Sequence, residues 1–236
     1  YYRIQQNLCQ QSEQIQTAIA LASQYRERDY LQLEAMLSIF NLLELKHPLS
    51  AMRGWAISPD LAVLLIALVN QNKPGLIVEA SSGVSTLIIG YQIKKLGKGK
   101  VISLEHEESY ARISMQQIAN HDLLDVATVI HAPLKQVSIQ HQFWQWYDTR
   151  ELFEKLQQKI DLLVIDGPPG DLQPLSRYPA LPILFEALSD RAIIVMDDAS
   201  REDEQKIIEQ WKQEFNCASV SMIANEKGAA ILQIQK

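Results

Sequence analysis

The residues able to do chemistry gather in a few short runs. The first is Glu79-Ala80-Ser81-Ser82-Gly83-Val84-Ser85-Thr86, which follows the apolar stretch Leu76–Ala80 and opens a helical pattern. Small side chains there let the backbone approach a ligand, and Gly83 permits dihedrals that a Cβ forbids. The run fits neither GxGxxG nor GxxxxGK(S/T), which argues against a dinucleotide or a nucleoside triphosphate. An acid at its head suits an ammonium group better than a pyrophosphate. A second acid, Glu105, ends the next apolar run about 20 residues on, where it can accept both hydroxyls of a ribose. The ligand this implies is an adenosine with a cationic, amino-acid-like tail, a description that S-adenosylmethionine meets.

The same reasoning extends along the chain. In an open α/β sheet, ligands bind beyond the carboxyl ends of the strands. The residues at the expected strand ends are Glu79, Glu105, Ala132, Asp166 and the pair Asp197–Asp198. Four of these five places are acidic, which suits a cationic or hydroxyl-rich ligand and not a phosphate. His106 and His131 also fall at strand ends, as lesser candidates for a general base. His47, His121 and His141 read as surface or turn residues. The aromatic run Phe143–Tyr147 falls in an expected loop and reads as a packing patch before an acceptor pocket.

The elements that must position these residues fall into two regimes. Residues 1–70 read as successive helices. A Gln-rich helix spans about Arg3–Tyr25, with Leu8, Ile15 and Ala22 at heptad spacing, Ile4, Ala18 and Ile19 beside them, and Gln11 interrupting. Packing against its own domain is the first reading and pairing with a second copy the other. Asp29 and Gln32 resemble a capping box for a second helix, with Leu33, Met36, Leu37, Phe40 and Leu43 on one side, ended by His47–Pro48. A loop carrying Met52-Arg53-Gly54-Trp55 leads to Ser58-Pro59-Asp60, which restarts helix. From residue 74 onward short apolar strands alternate with helices: strands are expected at 76–80, 101–105, 126–131, 162–166, 192–197, 218–224 and 229–234, and a helix at 179–188. The last two strands form a hairpin across Asn225–Gly228. Such alternation predicts an α/β fold, a doubly wound, Rossmann-like and mostly parallel seven-stranded sheet with one antiparallel edge strand. The expected division is a helical extension, 1–47, and a ligand-binding domain, 48–236.

These runs resemble the class I methyltransferases. Glu79–Ser85 resembles their motif I, Val101–Glu105 the strand bearing the ribose acid, Ile160–Gly170 with Ile165-Asp166-Gly167-Pro168-Pro169 their motif IV, and Met196-Asp197-Asp198 the end of their fifth strand. Ser58-Pro59-Asp60 is further similar to the small-molecule O-methyltransferases of the caffeoyl-CoA and catechol type. The resemblance implies S-adenosylmethionine as cofactor. Glu79, Ala80, Ser81, Ser82, Gly83, Ser85 and Thr86 would lie against its methionine part, Glu105 on the ribose, His106 beside the adenine, and His131 and Ala132 at the adenine edge. Asp166 would stand at the reacting centre, and Arg53 and Trp55 would close over the cofactor. It also implies a divalent ion such as Mg²⁺ on Asp166, Asp197 and Asp198. Three positions depart from the pattern. Ser81 replaces the first glycine of motif I, Asp198 stands where the relatives carry Asn, and Pro169 stands where they carry a lysine, so a lysine-assisted mechanism does not transfer. The alternatives are Asp166 as a metal-free general base and Asp197–Asp198 as caps of the following helix.

The expected activity is methyl transfer to a small hydroxylated acceptor. An aminopropyltransferase and a non-catalytic binding module are the other readings. Composition narrows the field: the net charge of −6, without a dense basic run, excludes a phosphate-tracking nucleic-acid binder. The longest apolar run, Leu61–Val69, is far short of the roughly 20 residues a bilayer requires. Two widely separated cysteines and no zinc spacing suggest a reducing, cytoplasmic setting.

Overall fold

The computed structural model describes the backbone of residues 2–236 and the side chains of residue 11 and of 13–236. Ile4, Leu8 and Cys9 therefore have side chains outside the described residues. The elements are α1 (Tyr2–Leu42), α2 (Pro59–Asn72), β1 (Leu76–Ala80), α3 (Val84–Leu96), β2 (Lys100–Glu105), α4 (Glu108–Asn120), β3 (Ala127–His131), β4 (Leu134–Ile139) and β5 (Gln142–Tyr147). They continue with α5 (Arg150–Lys155), β6 (Ile160–Ile165), α6 (Ala180–Leu184), β7 (Leu188–Asp197), α7 (Glu202–Glu214), β8 (Cys217–Ile223) and β9 (Ala229–Ile234).

Seven strands form one sheet in the order β3-β2-β1-β6-β7-β9-β8. The first five are parallel. At the far edge β9 runs antiparallel between β7 and the outermost β8. The chain winds outward from β1 in one direction and from β6 in the other, so the switch point lies between β1 and β6. This is the expected Rossmann-like sheet.

Its strands are buried because both faces are covered. Along β1, Leu76, Val78 and Ala80 enter one core, with Trp146, Tyr178 and Trp211. Ile77 enters the other, with Leu65 of α2 and Ile88 of α3. That alternation is the period of two of a pleated strand, and burial on both faces explains why β1 and β6 are apolar apart from Glu79 and Asp161. Each such side chain fully buried contributes about 1.5–3 kcal/mol.

Three expectations need correction. The N-terminal region is one 41-residue helix, not two. Asp29 caps nothing; its carboxylate pairs with Arg53 Nη1 at 2.8 Å. The Gln32 amide donates to Asp60 Oδ2 at 2.7 Å. Two tertiary contacts thus claim the polar groups that resemble a capping box. The stripe of α1 that packs is Gln32 and Ile39, continued by Leu43 just past its end, buried against α2 and its surroundings. Leu33, Leu37 and Phe40 occupy the neighbouring stripe, about 100° around the helix, and are more than half exposed.

The second correction concerns residues 134–147, which form the β4–β5 hairpin and not a loop. Its two-residue turn, Gln140–His141, has φ of 50° and 66°. Trp144, Trp146 and Tyr147 are buried and pack as a patch, whereas Phe143, at the start of the run, is exposed. Third, the helix expected over 179–188 is only five residues of α6 and a short 3₁₀ turn, Phe185–Ala187, after which β7 begins at Leu188.

Candidate active site

The loop between β1 and α3 is held from beneath. Glu79 is fully buried. Its Oε2 accepts the Thr86 hydroxyl at 2.6 Å and the Ser103 hydroxyl at 2.7 Å. Thr86 Oγ1 in turn accepts the Gly83 N–H at 3.2 Å. This chain ties the loop, the first turn of α3 and the middle of β2 into one unit. Glu79 Oε1 has no hydrogen-bond partner, and burial pushes the carboxyl pKa up.

Within the loop, Ser81 has a φ of 137° and Gly83 one of 145°. Both lie where glycine is favoured. Ser81 N–H donates to the Leu104 carbonyl at 3.1 Å, which pins the distortion. At Gly83 the position a Cβ would take is open space. The loop therefore leaves the Gly83 backbone uncovered at the switch point, open to the close approach of a ligand.

Glu105 sits beside it at the end of β2, nearly covered. Its two oxygens accept Ser82 Oγ at 3.1 Å and the Glu107 N–H at 3.0 Å. His106 Nδ1 lies 3.1 Å from Glu105 Oε1, and the His106 ring meets Tyr147 edge-on at 6.0 Å. Ala132 is buried, its N–H donating to the Glu105 carbonyl at 2.7 Å. The His131 side chain points into solvent. Two open hollows, about 490 and 550 Å³, flank His131 at the β3 edge of the sheet. Neither is lined by Glu79, Glu105 or Asp166, so both lie away from the switch point.

Asp166 follows β6, and its N–H donates to the Ala80 carbonyl at 3.1 Å. This joins the ends of β1 and β6. A side chain on the next residue, Gly167, would overlap the Tyr147 hydroxyl and come within 3.1 Å of the Ala80 carbonyl. Burial, then the charge of Asp197, push the Asp166 carboxyl pKa well up, while Arg177 opposes the shift.

Asp166, Asp197 and Asp198 do converge: ligand oxygens, one from each, lie within 4.8 Å of one another. Another group already stands among them. Arg177 is buried, and its Nη2 lies 2.7 Å from Asp198 Oδ2 and 3.4 Å from Asp166 Oδ1. The guanidinium occupies the ground between two carboxylates that a bridging Mg²⁺ needs, so the donor set does not fit that ion. Arg201 Nη1 adds a contact of 3.0 Å to Asp198 Oδ2, and Lys227 Nζ lies 3.7 Å from Asp197 Oδ2.

The structure thus brings together Glu79, Ser81–Thr86 and Glu105, with His106 and Asp166 alongside. It does not bring in Arg53 or Trp55. Arg53 is held by Asp29 and by Glu226, each at 2.8 Å, and Trp55 is 85% exposed. His121, expected on the surface, is buried and bonded to the Tyr91 hydroxyl at 2.8 Å. Sequence reasoning missed Ser103, Arg177 and Lys227. Only Ser103 carried a signal: it is a lone hydroxyl within the apolar part of β2, in register with Glu79.

Comparison with known proteins agrees with this geometry. The family described as a methyltransferase domain matches residues 80–199. No curated protein matches by sequence. Among solved structures, the fold is similar to that of an O-methyltransferase from Bacillus cereus in complex with SAH (14% identity, 86% of this chain and 90% of that chain, TM-score 0.59). It is also similar to the SAH-bound methyltransferase PaMTH1 of Podospora anserina (13% identity, 77% and 81%, TM-score 0.59). A third is the O-methyltransferase TomG from Streptomyces achromogenes in complex with SAM (11% identity, 77% and 82%, TM-score 0.58).

Proposed function

The chain belongs to the methyltransferase-domain family, and on that premise we propose that it transfers the methyl group of S-adenosylmethionine to a hydroxyl oxygen of a small acceptor. The observation that carries this reading is the open, glycine-like backbone of the loop at Ser81–Gly83, set between two acids at the switch point. When bound, S-adenosylmethionine supplies an activated methyl on a sulfonium centre. The chain's own residues bind, orient and handle a proton. The Gly83 backbone gives the close approach, and Glu79 presents an unpartnered oxygen at the floor of the loop. The Glu105 carboxylate is fixed to receive the ribose hydroxyls, displacing Ser82. Asp166, at the end of β6 with its carboxyl pKa raised by burial, is the group placed to take the acceptor's proton. Most of the acceleration is expected from positioning, since the donor arrives activated.

The aminopropyltransferase reading needs an acidic pocket for a polyamine. The acids beyond β6 and β7 are instead engaged by Arg177, Arg201 and Lys227, which favours methyl transfer. The reading is tested by calorimetric titration with S-adenosylmethionine and S-adenosylhomocysteine, with saturable binding of both expected. No heat at millimolar ligand would sink it.

Two further points complete the proposal. The free stripe of α1 pairs with a second copy of the chain. The setting is the cytoplasm, in keeping with the free thiol of Cys217; no described helix is long and apolar enough to cross a membrane.

A further inference from the structure

Four carboxylates, those of Asp166, Asp197, Asp198 and Glu204, meet beyond the ends of β6 and β7, and all but Asp166 are buried. Like charges so close cannot remain ionised in a protein interior without cations. We propose that Arg177 is the resident cation of this cluster and takes the place that a divalent ion holds in metal-dependent enzymes of similar fold, so that the site neither needs nor binds Mg²⁺.

The guanidinium is held on two sides. Besides its contacts to Asp198 and Asp166, Nη1 donates to the Asp197 carbonyl at 2.9 Å and Nη2 to the Asp166 carbonyl at 3.1 Å. One planar fork therefore joins the backbone ends of β6 and β7, a geometry that an ammonium cannot copy. Nε faces Glu204 Oε1 at 3.7 Å. The flanking residues fix its base: Ser176 Oγ donates to the Pro169 carbonyl at 2.9 Å, and Trp211 Nε1 to the Tyr178 carbonyl at 3.1 Å.

A Mg²⁺ ion demands about six oxygens at roughly 2.0–2.1 Å in near-octahedral array. Waters can supply part of that shell, but an ion bridging Asp166 and Asp198 would have to expel a side chain that is 3% exposed and break its bonds to two carbonyls. Asp198 Oδ2 is engaged by Arg177 and by Arg201, Asp197 Oδ1 accepts the Asp198 N–H at 2.8 Å, and Asp197 Oδ2 lies 3.7 Å from Lys227 Nζ. Each acid in the cluster thus has a cation from the chain itself. Arg177 acts through Asp166 and the two strand ends, as a positioning residue.

The test is a titration of the full chain with Mn²⁺, reading the free ion by electron paramagnetic resonance, with and without S-adenosylhomocysteine. Wild-type protein is expected to leave the Mn²⁺ signal unchanged. Arg177→Gln is expected to take up one Mn²⁺ per chain. Stoichiometric binding by the wild type, or a folded Arg177→Gln that binds none, overturns the proposal; should that variant not fold, the wild-type titration decides alone. The ion readout is independent of the proposed activity. Failure to bind S-adenosylhomocysteine would remove the methyltransferase reading and leave the Mn²⁺ result standing.

Discussion

At Ser81 a side chain occupies backbone space that belongs to glycine. A non-glycine residue at φ 137° stores roughly 1–3 kcal/mol, and a glycine there loses about 0.5–1 kcal/mol of that in chain entropy. Ser81→Gly should therefore stabilise the protein by about 1 kcal/mol, read as a raised urea midpoint at unchanged slope. A lower midpoint would mean that the Ser81 contacts outweigh the strain. Glu105 makes the opposite kind of contribution. Charged hydrogen bonds are worth about 1.5–3 kcal/mol, so Glu105→Gln should weaken S-adenosylhomocysteine binding roughly tenfold to a hundredfold by calorimetry, with the fold retained. Glu79, Gly83 and Glu105 were readable because residue type and place at a strand end coincide. Arg177 was not, since a single arginine in a loop announces nothing until β6 and β7 bring their ends together around it.

Elements differ in how openly they declare themselves. The core strands did so through near-continuous apolar runs, and β8 with β9 did so through the turn at Gly228, whose φ is 75°. The β4–β5 hairpin hid because Gln140 and His141 adopt left-handed dihedrals usually left to Asn and Gly. The joint between α3 and α4 hid in another way. The Lys46 N–H donates to the Tyr91 hydroxyl at 2.8 Å, so the Tyr91 proton goes to His121 Nδ1, which must be unprotonated to accept it. Burial, and then the nearby His47, lower the His121 pKa below its usual 6.5. The unfolded chain therefore binds a proton that the folded chain refuses. The stability contribution of His121 is complete above pH 6.5 and is lost as pH falls toward the folded-state value. Urea unfolding between about pH 7 and 5 should show stability falling with acid in the wild type and a shallower fall in His121→Gln. Equal slopes would show that the joint does not titrate.

For the molecule as a whole, surface is the informative quantity. The chain exposes 12938 Å², whereas a compact monomer of 26.8 kDa exposes about 10,800 Å². The excess, on the order of 2,000 Å², exceeds the roughly 800 Å² that each partner buries in a standard interface. Along α1, Ile15, Ile19, Leu33, Leu37 and Phe40 form an exposed apolar stripe without a partner among the described residues. Light scattering should report a dimer, and Leu33→Glu with Leu37→Glu should yield a monomer that binds S-adenosylhomocysteine as before. A wild-type monomer at micromolar concentration would end the dimer proposal. The place of β9 bears on a different matter, the timing of synthesis. Residues 229–234 emerge after β8 yet pair with β7 along Ile193–Asp197. Until they are made, the strand ending in Asp197 has an open edge, which is a template for wrong partners. Lys227, on the same turn, also arrives late. The ribosome thus releases the reactive end of the sheet unfinished in both hydrogen bonds and charge, and a shielding chaperone would matter most during that interval.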